Sequence, residues 1–571
     1  MKQAAKAENP ATLKGKLKDS LARWEAGTLA ESLKTKPEAR PGFKTDTGFE
    51  VKRLYTPLDM GDENYLEKLG YPGQFPFTRG IEPDGYRTKE EWLLNYYSGH
   101  GSSRETNQRF RDLIAADGGD IWAAMDLPTQ IGLDSDHALS EGEVGKAGVA
   151  LDTLKDMEVM LDGIDLGKTR FGTVANCIGP WFLAMFIALA EKRGMDLKTS
   201  YVWIQNDPLK EFTGRGTYIF SPEVQIDLAA DAVAYSLEHT PMVDPQYPCT
   251  GQFRHGCDAA QEIGFGIAHM ITYVEAAMKK GVKPEQMVPR LNFHSTTFDD
   301  FFEEIAKFRA WRRLWAKIAR ERFKTDDPRV LACRQTTYTN TRLPARQPLN
   351  NIVRTTAHVL ASLLGGVEHI LSPAYDEALA LPTLESTRLA SLTKNMLHHE
   401  AGVDRSVDPL GGSYFLESLT DEMEAKARQW YDRLEAMGGP LKAIENGFYQ
   451  RETSEGALKY QKAIESQEKV VVGVNRFKME EPVGKKLFKA NPESERRQVE
   501  LLQKVRKERD SATVKRSLAQ IRKVAEAKAA GRDSNIMPPL LDAVRAYASV
   551  GEIYSVLRDV FGEYKPWTTY F

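Results

Sequence analysis

From about Tyr71 onward, short runs of β-branched and aromatic residues alternate with longer stretches whose apolar positions recur every three or four residues. The short runs occupy residues 75–80, 121–127, 170–176, 201–205, 247–251, 290–294, 330–335 and 367–372. Helical spacing fills most of the gaps, for example at 181–193, 259–280, 301–323 and 350–364. Successive strand signals lie about 30 to 45 residues apart, the repeat of a strand plus its crossover helix. Eight such units predict an α/β fold and, within residues 46–400, a parallel (β/α)8 TIM barrel. A doubly wound sheet also alternates, but eight regular units favour closure.

The pattern changes on either side. Residues 1–45 are charged and poor in large apolar side chains. A helix is expected from Leu17 to Leu33, broken by the KTKPEARPG run, as part of an extended arm or a frayed terminus. Residues 401–571 predict a mainly helical region with one strand candidate, 468–477. Asn491 and Pro492, followed by Glu493 and Glu495, read as a helix start. The last stretch, from Met537, reads as two short packed helices.

Composition narrows the class. The 571 residues carry a net charge of −3, so no basic field argues for nucleic acid. No run of about 18 apolar residues predicts a membrane span. The N-terminus lacks the apolar stretch of a signal peptide, and the expected location is cytoplasmic. Four scattered cysteines, Cys177, Cys249, Cys257 and Cys333, predict buried thiols rather than a disulfide framework or a zinc site.

The most informative stretch is 201–220, YVWIQNDPLKEFTGRGTYIF. A strand ends in Gln205, Asn206 and Asp207, and Arg215 follows closely. Carboxyl ends of parallel strands are where such folds place chemistry. A guanidinium there presents a planar fork suited to a carboxylate.

Several separated motifs resemble the methylmalonyl-CoA mutase family, specifically its large, catalytic subunit. They are YPGQFPFTRG (71–80), AMDLPTQIGLDSD (124–136), EVGKAGVALDTLKDM (143–157), IQNDPLKEF (204–212), RGTYIF (215–220), NNIVRT (350–355), DEALALPT (376–383), DPLGGSY (408–414) and VVGVNRF (471–477). They are collinear with the family from about residue 45 onward. The resemblance implies a (β/α)8 barrel that uses adenosylcobalamin to rearrange an acyl-CoA thioester by radical 1,2-migration. The family's cobalt-ligating DxHxxG motif does not occur in the sequence. The chain is therefore expected to contain no cobalamin-binding domain and to pair, in a hetero-oligomer, with a separate small cobalamin-binding subunit.

Residue by residue, the resemblance implies that Gln205 contacts the acyl group and Arg215 pairs with an acyl carboxylate. Tyr86, Arg87, Lys89, Arg290 and Asn292 fall where the family grips CoA, and Gln335 matches a substrate-side glutamine. Met125, Leu127, Gln130, Ala147, Gly148, Glu377 and Ala378 fall where relatives touch the corrin or adenosyl group.

Departures cluster around the acyl pocket. The family histidine that hydrogen-bonds the thioester carbonyl aligns with Phe253, in TGQFRHGCDAAQE, and His255 is the candidate to take its place. A further family histidine is Cys333. Pro373 replaces an asparagine, and Thr339, beside Tyr338, replaces a tryptophan. Trp203 replaces a small polar residue, and the tyrosine near the adenosyl group is replaced within Ile81-Glu82-Pro83. These changes predict a non-standard acyl group, a dicarboxylic one if Arg215 keeps its role. Two alternatives stand beside this reading: a branched or hydroxylated acyl-CoA without a free carboxylate, and an inactive barrel that binds acyl-CoA or a partner.

Overall fold

A computed structural model describes residues 10–35, 44–59, 65–90, 92, 95–244, 248–340, 342–480 and 491–566. The architecture is α/β, with parallel sheets flanked by many helices. The strands are β1 (Asn95–Ser98), β2 (Asp120–Ala123), β3 (Phe171–Val174), β4 (Val202–Gln205), β5 (Val243–Asp244), β6 (Phe293–Thr297), β7 (Gln335–Thr339) and β8 (His369–Leu371). β1 to β5 pair in that order, and β6 to β8 form a second sheet, every pairing parallel. The sheets meet where Cys249 bridges His294. The Thr250 amide donates to the His294 carbonyl (2.7 Å), and the His294 amide to the Pro248 carbonyl (2.8 Å).

A principal helix follows each strand: α1 (Ser103–Asp117), α2 (Leu154–Met160), α3 (Gly179–Arg193), α4 (Pro222–His239), α5 (Ala259–Met278), α6 (Phe301–Phe323), α7 (Asn350–Leu364) and α8 (Leu384–Met396). Side chains set several starts. Ser102 with Glu105, Thr153 with Asp156, and Asp258 with Gln261 form reciprocal caps on α1, α2 and α5. α3 is apolar all round because it is covered twice. Its residues from Gly179 to Ala190 are buried between the first sheet and a C-terminal layer that includes Met537–Arg545 and Val550–Phe561. The long helix Tyr414–Ala436 packs on α5 and α6. Among the described residues no helix is long and apolar enough to cross a membrane, and the four cysteines are unpaired thiols.

Several elements sit elsewhere than their sequence signal. Residues 75–80 form turns, with Phe77 at φ +62° and glycines 73 and 80 also at positive φ, which no strand tolerates. The first strand is instead Asn95–Ser98, a segment without one aliphatic residue. β5 lies at 243–244, before the expected 247–251, and residues 245–247 lie outside the described set. β7 begins at Gln335 because Pro328 opens a short helix, Pro328–Leu331, over the expected strand. The 468–477 strand candidate is a turn closed by one bridge, Val472 to Arg476. The helix expected after Asn491 begins at Ser494, whereas the expected 17–33 helix is present within a longer one that runs Pro10–Trp24, a wider turn Glu25–Leu29 and Ala30–Thr35; residues 1–9 and 36–43 lie outside the described set.

Candidate active site

The stretch 201–220 does place its polar groups together. β4 ends on Gln205, and Pro208 then opens a single turn, Pro208–Lys210. A wider turn, Glu211–Arg215, follows and stops at Gly216, whose φ of +90° suits a residue without Cβ. The anchor is Glu211, a fully buried carboxylate. It accepts from the Asn176 amide (2.5 Å) and the Thr217 backbone (3.2 Å), and from the Thr217 hydroxyl. Lys210 lies 3.7 Å away and Arg215 3.5 Å away. Lys210 is buried, whereas 29% of the Arg215 side chain is exposed. Gln205 donates to the Asn176 side-chain oxygen at 3.3 Å. Asp207 turns away from this group: it accepts from the Cys249 amide (2.6 Å) and the Tyr273 hydroxyl (2.5 Å), and burial raises its pKa to about 6.

Gln205 and Arg215 line a cavity of about 220 Å³ at the carboxyl ends of the strands. Tyr97 of β1, Trp122 of β2, Val174 of β3, His294 and Thr296 of β6, and Tyr338 of β7 contribute the strand-borne wall. Lys210, Cys249, Gly251, Gln252 and Glu377 complete it. The Tyr338 hydroxyl donates to both Glu377 carboxylate oxygens (3.1 and 3.0 Å). Burial of the Glu377 carboxyl pushes its pKa up to about 7, against the lowering effect of that tyrosine.

A second cavity, of about 340 Å³, opens at the opposite, amino ends of the strands. Arg334, Glu368 and His369 flank the starts of β7 and β8 there; Tyr86, Lys89 and Arg312 face them. The Tyr86 hydroxyl donates to the Val367 carbonyl (2.7 Å), and the Lys89 ammonium lies 4.1 Å from the Trp92 ring centre. Burial lowers the Lys89 pKa, partly offset by Glu368.

An aromatic cluster packs behind the first cavity's Trp122 and Tyr338. Trp122, Trp203 and Leu371 pack together, joined by Tyr201 and Tyr338. The two indoles meet edge to face with centres 3.9 Å apart. Gly172, the strand neighbour between them, makes the space: a Cβ there would lie 1.9 Å from the Trp203 ring.

The remaining predicted residues fall into three places. Met125, Leu127, Gln130, Ala147 and Gly148 share one loop pair beyond β2. Asp126 ties it, accepting from the Thr129 amide (3.0 Å) and the Gly145 amide (2.7 Å). Gly148 is packed so closely that a Cβ would lie 2.3 Å from the Met125 carbonyl carbon. Leu127 (40% exposed), Ala147 and Ala378 are on the surface, and Glu377 lines the first cavity with its carboxyl held by Tyr338. Tyr86 and Lys89 line the second cavity, whereas Arg87 is exposed beside it. Arg290 holds the β5 end, donating to the Thr240 carbonyl (3.2 Å) beside Asp244 (3.6 Å), and Asn292 is buried next to it. Gln335 faces α6, where it accepts from Arg312 (2.8 Å) and donates to the Phe308 carbonyl (3.4 Å). His255 ends the turn Gly251–His255 on its exposed side, outside both cavity walls.

Sequence reasoning passed over Tyr97, Trp122, His294 and Tyr338 as wall residues. Tyr97 supplies an aromatic ring at the mouth, while Ile81 and Glu82 line the other cavity. The period-2 alternation along β6 and β7 would have put His294 with Thr296 on one face.

The chain is 38% identical over 559 residues to the 2-hydroxyisobutanoyl-CoA mutase large subunit of Aquincola tertiaricarbonis, covering 97% of this chain and 98% of that protein. It is 37% identical to the methylmalonyl-CoA mutase of Rhizobium meliloti (95% of this chain, 75% of that protein) and 36% identical to the human mitochondrial enzyme (95% and 71%). The sequence profile of methylmalonyl-CoA mutase matches residues 44–563, nearly every strand, helix and cavity wall described above, and by that match the chain belongs to the methylmalonyl-CoA mutase family.

Proposed function

We propose that this chain is the catalytic subunit of an adenosylcobalamin-dependent acyl-CoA mutase, acting on a carboxylated acyl group with a separate cobalamin-binding subunit as partner. The observation that carries the reading is the convergence of Gln205 and Arg215, ten residues apart in two neighbouring family motifs, on a cavity at the carboxyl ends of the strands. The partner is supported by the name of a relative, a large subunit, whose length this chain matches almost fully.

The reading includes one closed (β/α)8 barrel across residues 46–400, preceded by an arm (1–45) and followed by the helical region (401–571). Closure is supported by the Trp122–Trp203–Leu371 cluster, which brings β2, β4 and β8 together. The Trp92 amide donates to the Asn395 side chain (2.8 Å), which sets the approach to β1 beside α8. A barrel places the two cavities at opposite ends of its axis. CoA then enters past Tyr86, Lys89 and Arg334, and the acyl group reaches Arg215 and Gln205.

The chain's residues fit such a cofactor at the cavity mouth. Tyr97 (41% exposed) and Leu127 leave an apolar rim uncovered there, and the close-packed Gly148 loop and Glu377 border it. Adenosylcobalamin, when bound, supplies the adenosyl radical that opens the rearrangement. Arg215 holds the carboxylate by a charge-assisted fork, and Gln205 orients the acyl carbonyl region. Trp122, Tyr97 and Tyr338 keep water from the reacting carbons.

Reconstitution with a cobalamin-binding subunit, followed by a mass-spectrometric screen of acyl-CoAs, tests the reading. Conversion of at least one carboxylated acyl-CoA, with a cob(II)alamin–radical signal by electron paramagnetic resonance, is expected. No conversion and no radical signal across the panel would refute it.

A further inference from the structure

The wall of the first cavity is divided between two kinds of side chain. One arc is aromatic and aliphatic: Trp122 of β2, Val174 of β3 and Tyr338 of β7. Trp122 belongs to the cluster with Trp203 and Leu371, and Tyr338 packs against the same cluster, so the two rings share one side. The Tyr338 hydroxyl is taken by Glu377, and what this residue offers the cavity is chiefly its ring. The other arc is polar. It begins with Gln205 at the end of β4, continues through Lys210 and Arg215, and reaches Thr296 of β6. Lys210 and Arg215 approach the same oxygen of Glu211, at 3.7 and 3.5 Å. One carboxylate shared by two cations leaves positive charge for an incoming carboxylate.

The apolar arc is fixed, and it lies inside the cavity rather than at its mouth. Trp122 is 6% exposed, against 41% for Tyr97 on the rim. Its indole meets that of Trp203 edge to face, and Trp203 in turn stands over Gly172. The enclosed space is about 220 Å³. An apolar cavity of about 150 Å³ is enough to take benzene. A methyl group on the carbon that bears the carboxylate fills little of such a space and leaves the indole against water, which is unfavourable. Resting on the mutase reading above, we propose that the acyl group carries, besides its carboxylate, an apolar substituent about the size of a phenyl ring, which lies on the Trp122–Tyr338 arc while the carboxylate meets Arg215 beside Lys210.

The division also sets how such a group lies. A carboxylate and a ring borne on one tetrahedral carbon diverge, so each can meet its own arc only in one orientation, and the thioester takes a third direction. A carboxylate turned to Trp122 would lose its charged partners and its water together. A ring turned to Arg215 and Lys210 would cover a cation pair that Glu211 alone does not neutralise. The arcs therefore select for the pair of groups and for their arrangement on the carbon. Burying a phenyl-sized group on the apolar arc is expected to favour such an acyl-CoA about 10- to 100-fold over one that carries a methyl group there.

The test uses the two-subunit complex loaded with adenosylcobalamin, so that the cofactor already occupies its share of the mouth. The probes are methylmalonyl-CoA and benzylmalonyl-CoA, which differ by one phenyl ring. Rearrangement of the second gives its isomer phenylsuccinyl-CoA: the thioester group moves to the neighbouring carbon and a hydrogen atom moves back. Each probe is measured as a competitive inhibitor of whichever acyl-CoA the complex converts, and its own turnover is followed by chromatography of the isomers. In the unaltered complex benzylmalonyl-CoA should bind about 10- to 100-fold more tightly than methylmalonyl-CoA. Trp122→Leu should weaken benzylmalonyl-CoA about tenfold more than methylmalonyl-CoA, and Trp122→Phe, which keeps a ring, should retain most of the preference. If Trp122→Leu loses its circular-dichroism melt, Val174→Phe narrows the same arc from β3 and should cut the preference likewise. Equal inhibition by the two probes in a complex that converts some acyl-CoA overturns the proposal while the mutase reading stands. So do losses in the variants that fall equally on both probes, or on adenosylcobalamin binding alone. A complex that converts no acyl-CoA removes the mutase reading and this proposal with it.

Discussion

Replacing Arg215 by glutamine separates a carboxylated substrate from an uncarboxylated one. The guanidinium already touches Glu211, but at 3.5 Å and with 29% of the side chain exposed. It can therefore turn to an incoming carboxylate without leaving a buried charge bare. Hydrogen bonds to a charged group contribute about 1.5–3 kcal/mol each, and a bidentate fork makes two. Partial exposure and the competing Glu211 reduce that sum, so we expect a loss of about 2–3 kcal/mol in transition-state binding. This converts to about a 30- to 150-fold drop in kcat/KM at 25 °C. The assay compares steady-state kcat/KM for a carboxylated acyl-CoA and for its methyl isostere, in unaltered and Arg215→Gln complexes. The drop is expected for the carboxylated compound alone, and the isostere should gain slightly as a cation leaves the pocket. Equal losses on both compounds, or none on either, would refute a carboxylate-binding role.

Other consequences are as specific. Gly172→Ala should lower the melting temperature, because the new Cβ meets the Trp203 ring at 1.9 Å and overpacking of that kind costs about 1–3 kcal/mol. Adding Trp203→Leu should recover much of the loss in a double-mutant cycle, and purely additive effects would show that the two positions do not touch. Lys307→Met should destabilise by about 3–5 kcal/mol, since it strips the buried Glu262 and Glu304 carboxylates of a shared cation and leaves only Arg254. A midpoint unchanged in urea titration would contradict that estimate. Acid should also weaken the fold. His269 and His294 accept a proton near pH 6.5 when unfolded but only near pH 3 when folded, because burial disfavours the charged ring. The unfolded chain thus binds more protons across that window, and their stabilisation, full above 6.5, is lost as pH falls through it. Each should forfeit about 1 kcal/mol between pH 6.5 and 5.5, and His269→Phe should flatten the slope of stability against pH.

How much of this was legible beforehand depends on how local the signal was. β2, β3, β4 and β8 lay where their apolar runs fell, because a strand buried on both faces needs consecutive apolar residues. β1 did not: Asn95-Tyr-Tyr-Ser has no aliphatic residue and is held by its neighbour, through the pairing of Asn95 to Ser98 with Asp120 to Ala123. The aromatic run at 75–77 looked stronger and became a turn, because strand choice followed pairing rather than propensity. In the site, Gln205 and Arg215 were readable since one short segment carries both. His294 was not, although it stood in a recognised strand. Which face of β6 turns inward depends on its register against Cys249 and Gln335.

The short turn at 250–256 and the aromatic cluster have a common physical consequence. In a parallel α/β site, chemistry sits on strand ends and loops, so the course of one loop decides which side chains face the cavity. Here the Gly251 backbone lies against Thr296, and Phe253 sits in the core beside Tyr449. Elsewhere on the wall Trp122 packs on Trp203, which fills space that Gly172 leaves open. One wall is thus built of backbone and another of an indole, while a third carries Arg215. A substrate that keeps the carboxylate but differs in the bulk or shape of its remaining acyl carbons satisfies all three observations together, and an unaltered dicarboxylic acyl group satisfies only the last.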